Sequence, residues 1–286
     1  MWFTRRSLLD MAKKGHLFIM WQAFAVAFIA GYLLIAPNLA LAAITFDSGA
    51  QINSSGTICT VGGTAPTNGF LAVGLVTGET TDTVTSIEWN GQPLTEVQSF
   101  YNSDEGRFES LYYLESPDTG SHNLVINFST SVGACYGYLN FYKSDSTSIA
   151  FDSSNRLDSA SVTTLSTTNN SSVDDTWQVL YGDSGGGTPS CNGSTVRNTT
   201  FGNNIWCDSN GSTGAAGTKT LTFDNTSSQH LSGMMLGFYE SGSGGGGGGG
   251  TAATSTVDQA QDNLYHAFII FFITMGFMVW MFKKRS

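Results

Sequence analysis

The stretch "VTSIEWNGQPLTEV", Val84 to Val97, decides the fold class. Two short runs with apolar residues at alternate positions flank Asn90-Gly91. A two-residue hairpin loop needs positive φ at both central positions, and Asn followed by Gly meets that demand at least cost. Outward from this hairpin, strand-like runs recur: "FLAVGLVT", "FESLYYL", "HNLVINFS", "CYGYLNFYK", "TWQVLYG", "TKTLTF" and "LSGMMLGFY". Leu124, Ile126 and Phe128 share one face of their strand, and Trp177, Val179 and Tyr181 share one face of theirs. "SPDTGSH" puts Pro117, Asp118 and Gly120 in a turn. No amphipathic helical repeat interrupts the series. About ten strands with turn chemistry between them predict an all-β, antiparallel β-sandwich of jelly-roll or immunoglobulin-like type.

The ends of the chain are unlike this middle. Arg5, Arg6, Lys13 and Lys14 precede the apolar run Leu17 to Ala36, and Ala40-Leu41-Ala42 follows, the pattern of a secretory signal peptide over residues 1–42. An uncleaved N-terminal membrane helix is the alternative. Leu264 to Phe282 carries no Asp, Glu, Lys or Arg, and Lys283-Lys284-Arg285 follows at once. As a helix it would rise about 28 Å, the thickness of a bilayer's hydrocarbon core. The basic tail, residues 283–286, then lies in the cytoplasm by the positive-inside rule. Residues 241–263, with seven consecutive glycines, read as a flexible tether. The G-x-G-x-x-G that can be picked out of it lacks the strand and helix a nucleotide site requires. Residues 43–240 are therefore expected outside the membrane of a bacterial cell, with the lipid bilayer as partner of the C-terminal helix.

That exported region holds five Lys/Arg against nineteen Asp/Glu, a formal charge of −14. Phosphate neutralisation needs cations, so nucleic acid is excluded as a partner and an anionic bilayer surface is disfavoured. All four cysteines, Cys59, Cys135, Cys191 and Cys207, lie in it. Three pairings exist; Cys191–Cys207 closing a local loop, with Cys59–Cys135 joining distant strands, is favoured over a four-thiol zinc site.

Three pieces, "VTSIEWNGQPLTEV", "LYYLESPDTGSHNLVINFS" and "GACYGYLNFYKSDSTS", resemble successive parts of a β-sandwich module of uncharacterised bacterial and phage surface proteins. The resemblance covers Phe70 to Ser148 well and "LSGMMLGFY" loosely; residues 155–225 depart from it. It implies a fold and a surface location, and brings no catalytic residue with it.

Chemistry was sought at three places. Gly182 to Gly186, "GDSGG", surrounds Ser184 as a protease nucleophile is surrounded, but the exported region offers only His122 and His230, neither in a protease-like context. Glu109 and Glu115 share a strand face and read as an outward polar row; as a pair they would make a glycosidase. "DSSNRLD", Asp152 to Asp158, lacks the glycine and distal glutamate of a calcium loop. No catalytic, metal or cofactor residue is assigned. The contact surface expected for a glycan or protein ligand is the loop "CNGSTVRNTTFGNNIWC", with Arg197, Phe201 and Trp206 as candidate contacts. Slightly favoured over that reading is one in which Phe201 and Trp206 fold back to cover the sandwich edge. Eight N-x-S/T sequons are compatible with glycosylation. The expected function is a non-enzymatic, membrane-anchored surface protein for adhesion, recognition or envelope structure. A carbohydrate-active enzyme and a phage attachment protein are the alternatives.

Overall fold

The computed structural model describes residues 44–145, 148–201 and 203–241, without the side chains of residues 199–201. The expected signal segment (1–42) and membrane helix (264–282), and the expected tether (241–263) except Ser241, which ends a strand, lie outside the described residues. No helix among the described residues is long and apolar enough to cross a membrane.

Thirteen strands are described: β1 (Ile44–Ala65), β2 (Gly69–Thr77), β3 (Val84–Trp89), β4 (Gln92–Pro93), β5 (Thr95–Asn102), β6 (Arg107–Glu115), β7 (Gly120–Ser144), β8 (Ser148–Ser171), β9 (Trp177–Ser184), β10 (Pro189–Asn192), β11 (Thr195–Phe201), β12 (Asn204–Asp208) and β13 (Gly217–Ser241). They form an antiparallel seven-stranded sheet from β1–β7 and a six-stranded sheet from β8–β13. Asn90 and Gly91 turn the chain between β3 and β4 with φ of 48° and 79°, as the sequence requires.

Each sheet is folded over on itself by two long, bent strands. β1 pairs with β7 along its length, with register shifts from Ser54 to Ile58 where Gly56 takes φ +112°. Bulges of this kind bend a strand and raise its twist, so one strand passes from one layer to another. The far half of β7 pairs with β2, and its near half with β3. β2 then pairs with β6, and β6 with β5. The layer β1–β7–β2–β6 faces the layer β1–β7–β3–β4 across a core that includes Leu71, Val73, Leu75, Ile87, Trp89 and Phe141. Trp89 and Phe141 meet edge to face across it at 5.0 Å. This pairing order is that of a jelly roll.

The second sheet repeats it. β8 pairs with β13 along its length, β9 with the far half of β13, β10 with the near half, β12 with β9, and β11 with β12. Irregularities recur at matching places. Asp47 and Asp152 are each skipped in register one residue after a phenylalanine, within "ITFDS" and "IAFDS". A second shift falls at Val97 in β5 and at Arg197 in β11. Gly120 and Gly217 open β7 and β13 with φ of 108° and 124°. The expected single sandwich is therefore two jelly-roll-like halves, residues 44–145 and 148–241, each with its own core. The first core is the larger; in the second the Cys191–Cys207 disulfide joins β10 to β12, where Ile87 and Tyr112 pack in the first.

The halves meet through their inner layers, so β2 and β9 are buried along their whole length, on both faces. Register matches Phe70 with Trp177 and Tyr142 with Phe238. Phe70 stacks on Phe238 at 4.6 Å, and Trp177 meets Tyr142 at 5.9 Å. Residue i of one half thus touches residue j of the other, and the reverse, which is the signature of a twofold interface. Tyr181 packs on its own counterpart: a Cβ at Gly74 would lie 2.5 Å from the Tyr181 ring. Gln98 donates to Ser154 at 3.2 Å, while its counterpart Asn198 sits against Gly49, the counterpart of Ser154.

Candidate functional site

Ionisable side chains gather at one end of this seam. Glu109 on β6 and Asp183 on β9 come from different halves and are both buried. Asn102 donates to Glu109 Oε1 at 2.8 Å, and Ser232 donates to Oε2 at 2.5 Å. Arg107 Nη1 lies 3.2 Å from Asp183 Oδ1 and 3.1 Å from Oδ2, while Nη2 holds Glu105 at 2.8 Å. Burial is the main force raising the Glu109 carboxyl above its ordinary range, against its hydrogen bonds from Ser232 and Asn102. Burial and then the nearby Glu109 charge push Asp183 well up, against Arg107. Burial thus disfavours ionising both carboxyls at once, and the Glu109 charge adds to that cost at Asp183. Burial would lower Arg107, but Asp183, Glu105 and Glu109 together hold it up.

Around this pair, His230 Nδ1 lies 3.0 Å from Asn102 Nδ2, and its Nε2 lies 3.7 Å from Asp104 and 3.8 Å from Asp158. Tyr138 donates to the Asn204 carbonyl at 2.9 Å. The cluster has the components of acid–base chemistry, but Glu109 and Asp183 are each only 1% exposed. Its contacts bridge the halves: Arg107 to Asp183, Ser232 to Glu109 and Asn102 to His230 each cross the seam.

Glu109 therefore does not stand in an outward row. The face it shares with Glu115 is buried at the Glu109 end by Leu111 and opens only at Glu115, which accepts from the Phe151 N–H at 2.7 Å. Six residues of strand separate the two by about 20 Å, against the roughly 5–9.5 Å a glycosidase pair needs.

Ser184 ends β9 buried, its hydroxyl directed at the carbonyls of Gly186 and Asn203, each at 3.2 Å. The ring of His230 is turned to Asn102, Asp104 and Asp158, and Ser184 closes its strand with its hydroxyl held by two carbonyls. His122 sits edge-on to Trp89 at 5.8 Å. Asp152 accepts from Ser172, and Asp158 pairs with Arg156 at 3.5 Å. Among the described residues no group of three or more His, Cys, Asp or Glu could hold a metal ion.

Two of the three candidate contacts of the disulfide loop, Arg197 and Trp206, turn toward the seam. Trp206 is fully buried and donates through Nε1 to the Tyr142 hydroxyl at 2.8 Å. Arg197 binds Asp208 and Asn210, each at 2.5 Å, and its guanidinium lies over the Phe46 ring at 5.1 Å. Both are seam residues, because a tryptophan and a cation on the inner layer find aromatic and carboxylate partners in the other half or beside it. The Phe201 side chain lies outside the described residues. Cys191 and Cys207 are bonded with Cα atoms 5.8 Å apart. Cys59 and Cys135 are buried free thiols where a second bridge was expected. Burial raises the Cys135 thiol, and its neighbour Cys59 raises it further.

Sequence reasoning missed the Glu109–Asp183 pair, although its signal was present. Asp183 ends "WQVLYGD", a run that reads as buried on both faces, and an acid there needs a partner.

No protein-family model matches the chain, and no curated protein matches it. Among solved structures, the crystal structure of the major capsid protein P2 from bacteriophage PM2 is similar at a TM-score of 0.27 and 8% sequence identity, over 69% of this chain and 100% of that one.

Proposed function

We propose that residues 44–241 form a rigid, non-enzymatic module displayed outside a bacterial membrane, serving recognition or envelope structure. The observation that supports this most is the seam. The side chains best suited to chemistry or contact, Glu109, Asp183, Arg107, Arg197 and Trp206, are spent in joining two jelly-roll halves. A module so joined suits presentation of its outer faces at the end of a tether. The apolar segment Leu264 to Phe282 and the basic residues after it support anchoring, and the charge of −14 favours solubility on the outer side. Protease treatment of intact producing cells should remove the module and leave the C-terminal segment in the membrane fraction. Full-length chain in the cytosol would overturn the reading. So would a hydrolytic activity of the purified chain that Glu109→Gln abolishes.

A further inference from the structure

The two halves invite comparison of their outer faces, and there they diverge. In the second half the outer layer, β8–β13–β10, carries polar side chains that satisfy one another across the strands. Thr218 donates to Asn170 at 2.9 Å, Ser166 and Thr222 are 2.8 Å apart, Thr164 donates to Asp224 at 2.7 Å, and Asn192 donates to Asp224 at 2.9 Å. In the first half the outer layer, β1–β7–β3, does the same in its flanking rows. Asn127 donates to Ser86 at 2.9 Å, Thr64 and Ser121 are 2.9 Å apart, and Asn90 donates to Asp118 at 2.9 Å.

Between those rows the first half has a glycine where the second has a threonine. Gly62 lies opposite Asn123, and Val125 opposite Glu88. Among the described residues, the Glu88 carboxylate and the Asn123 amide have no hydrogen-bond partner, yet both line an open trough of about 590 Å³ with Gly62, Asn90, Gly91 and Val125. That volume falls within the roughly 300–1,000 Å³ of small-molecule sites. Gly62 is not explained by backbone conformation, because its φ is not in the left-handed region, nor by crowding. A Cβ there would meet only Asn123 Oδ1, at 3.5 Å. Its neighbour Gly63 is different: a Cβ on it would lie 2.8 Å from Phe141 in the core. The position matching Gly62 in the second half is Thr168. A glycine inside a strand with no packing reason marks a place where something approaches the backbone closely.

We infer that this trough binds a neutral sugar. Adjacent ring hydroxyls donate to the Glu88 carboxylate, another hydroxyl pairs with the Asn123 amide, and a C–H face rests on Val125 over Gly62. Glu88 and the acidity of the surrounding module disfavour an anionic ligand. The inference names a ligand class for the recognition side of the function proposed above. The two fail separately, since display concerns where the module sits and the trough concerns what the purified chain binds.

The test is saturation-transfer NMR and calorimetry on the full chain in detergent. The probes are the methyl pyranosides of glucose, galactose and mannose, a neutral linear trisaccharide of each, and methylammonium as a cation control. At least one sugar should bind, and a preference for the trisaccharide would identify a glycan chain as the source. Glu88→Gln should weaken binding by about tenfold, the loss expected for a hydrogen bond to a charged group. Gly62→Thr, which installs the residue of the second half, should abolish binding at an unchanged melting temperature. Three outcomes overturn the inference: no sugar binds, methylammonium binds in their place, or binding survives Gly62→Thr. Should Gly62→Thr lower the melting temperature, Glu88→Gln alone decides, and binding unaffected by it overturns the inference.

Discussion

Glu109 and Asp183 show how one residue's environment reverses its sequence reading. On an exposed strand a glutamate is a solvated, ionised group; in the seam it is buried near an aspartate from the other half, and burial raises both carboxyls. The consequence for stability has a definite sign. Unfolded, both carboxyls ionise near pH 4. Folded, both are raised, so the native state holds the extra proton above that pH. Stability is therefore present below the unfolded values and is lost as pH climbs through the folded ones. As pH rises above the unfolded carboxyl range of about 4, the melting temperature of the wild type should decline, and Asp183→Asn, which removes one of the two raised carboxyls, should decline less. Parallel curves for the two proteins would show that Asp183 is not raised in the folded state. Arg107 acts oppositely: removing it leaves buried acids uncompensated, a loss of the order of 3–5 kcal/mol in comparable buried pairs.

At the scale of elements, four long strands, β1, β7, β8 and β13, create both cores. "HNLVINFS" and "CYGYLNFYK" read as separate strands but are one, bent near Val132, and "TKTLTF" and "LSGMMLGFY" are likewise one. β1 and β8 were missed by the sequence reading because Ser, Thr, Gly and Asn fill them; their outer rows are exposed and carry no apolar alternation. The disulfide works at this scale too. It spans 16 residues and ties the two layers of the half with the smaller core. Replacing Cys191 and Cys207 by serine should cost about 3 kcal/mol in urea unfolding, from the freedom returned to the unfolded chain. A change below about 1 kcal/mol would mean that the layers hold without it.

For the whole folded module, the isologous seam makes each half the partner of the other. Only Asp145 to Thr147 separates β7 from β8, and an isolated half would expose a face including Phe70, Val76, Leu111, Tyr138 and Tyr142. Contiguous apolar faces of that kind drive association. Residues 44–145 alone should aggregate, whereas co-expression with residues 148–241 should give a soluble one-to-one complex; a soluble monomeric first half would show that the seam is dispensable. The all-β class, the hairpin at Asn90-Gly91 and the local Cys191–Cys207 pairing were legible in the sequence, because turn chemistry and alternation are local properties. The repeat was faintly legible in "ITFDS" and "IAFDS". Tertiary structure decided the rest: that Trp206 and Glu109 point inward, that Ser184 ends a strand, and that Glu88 and Asn123 have no partner among the described residues beside Gly62. Alternation says which residues share a face of a strand. Only the packing of layers says whether that face meets water or another half of the molecule.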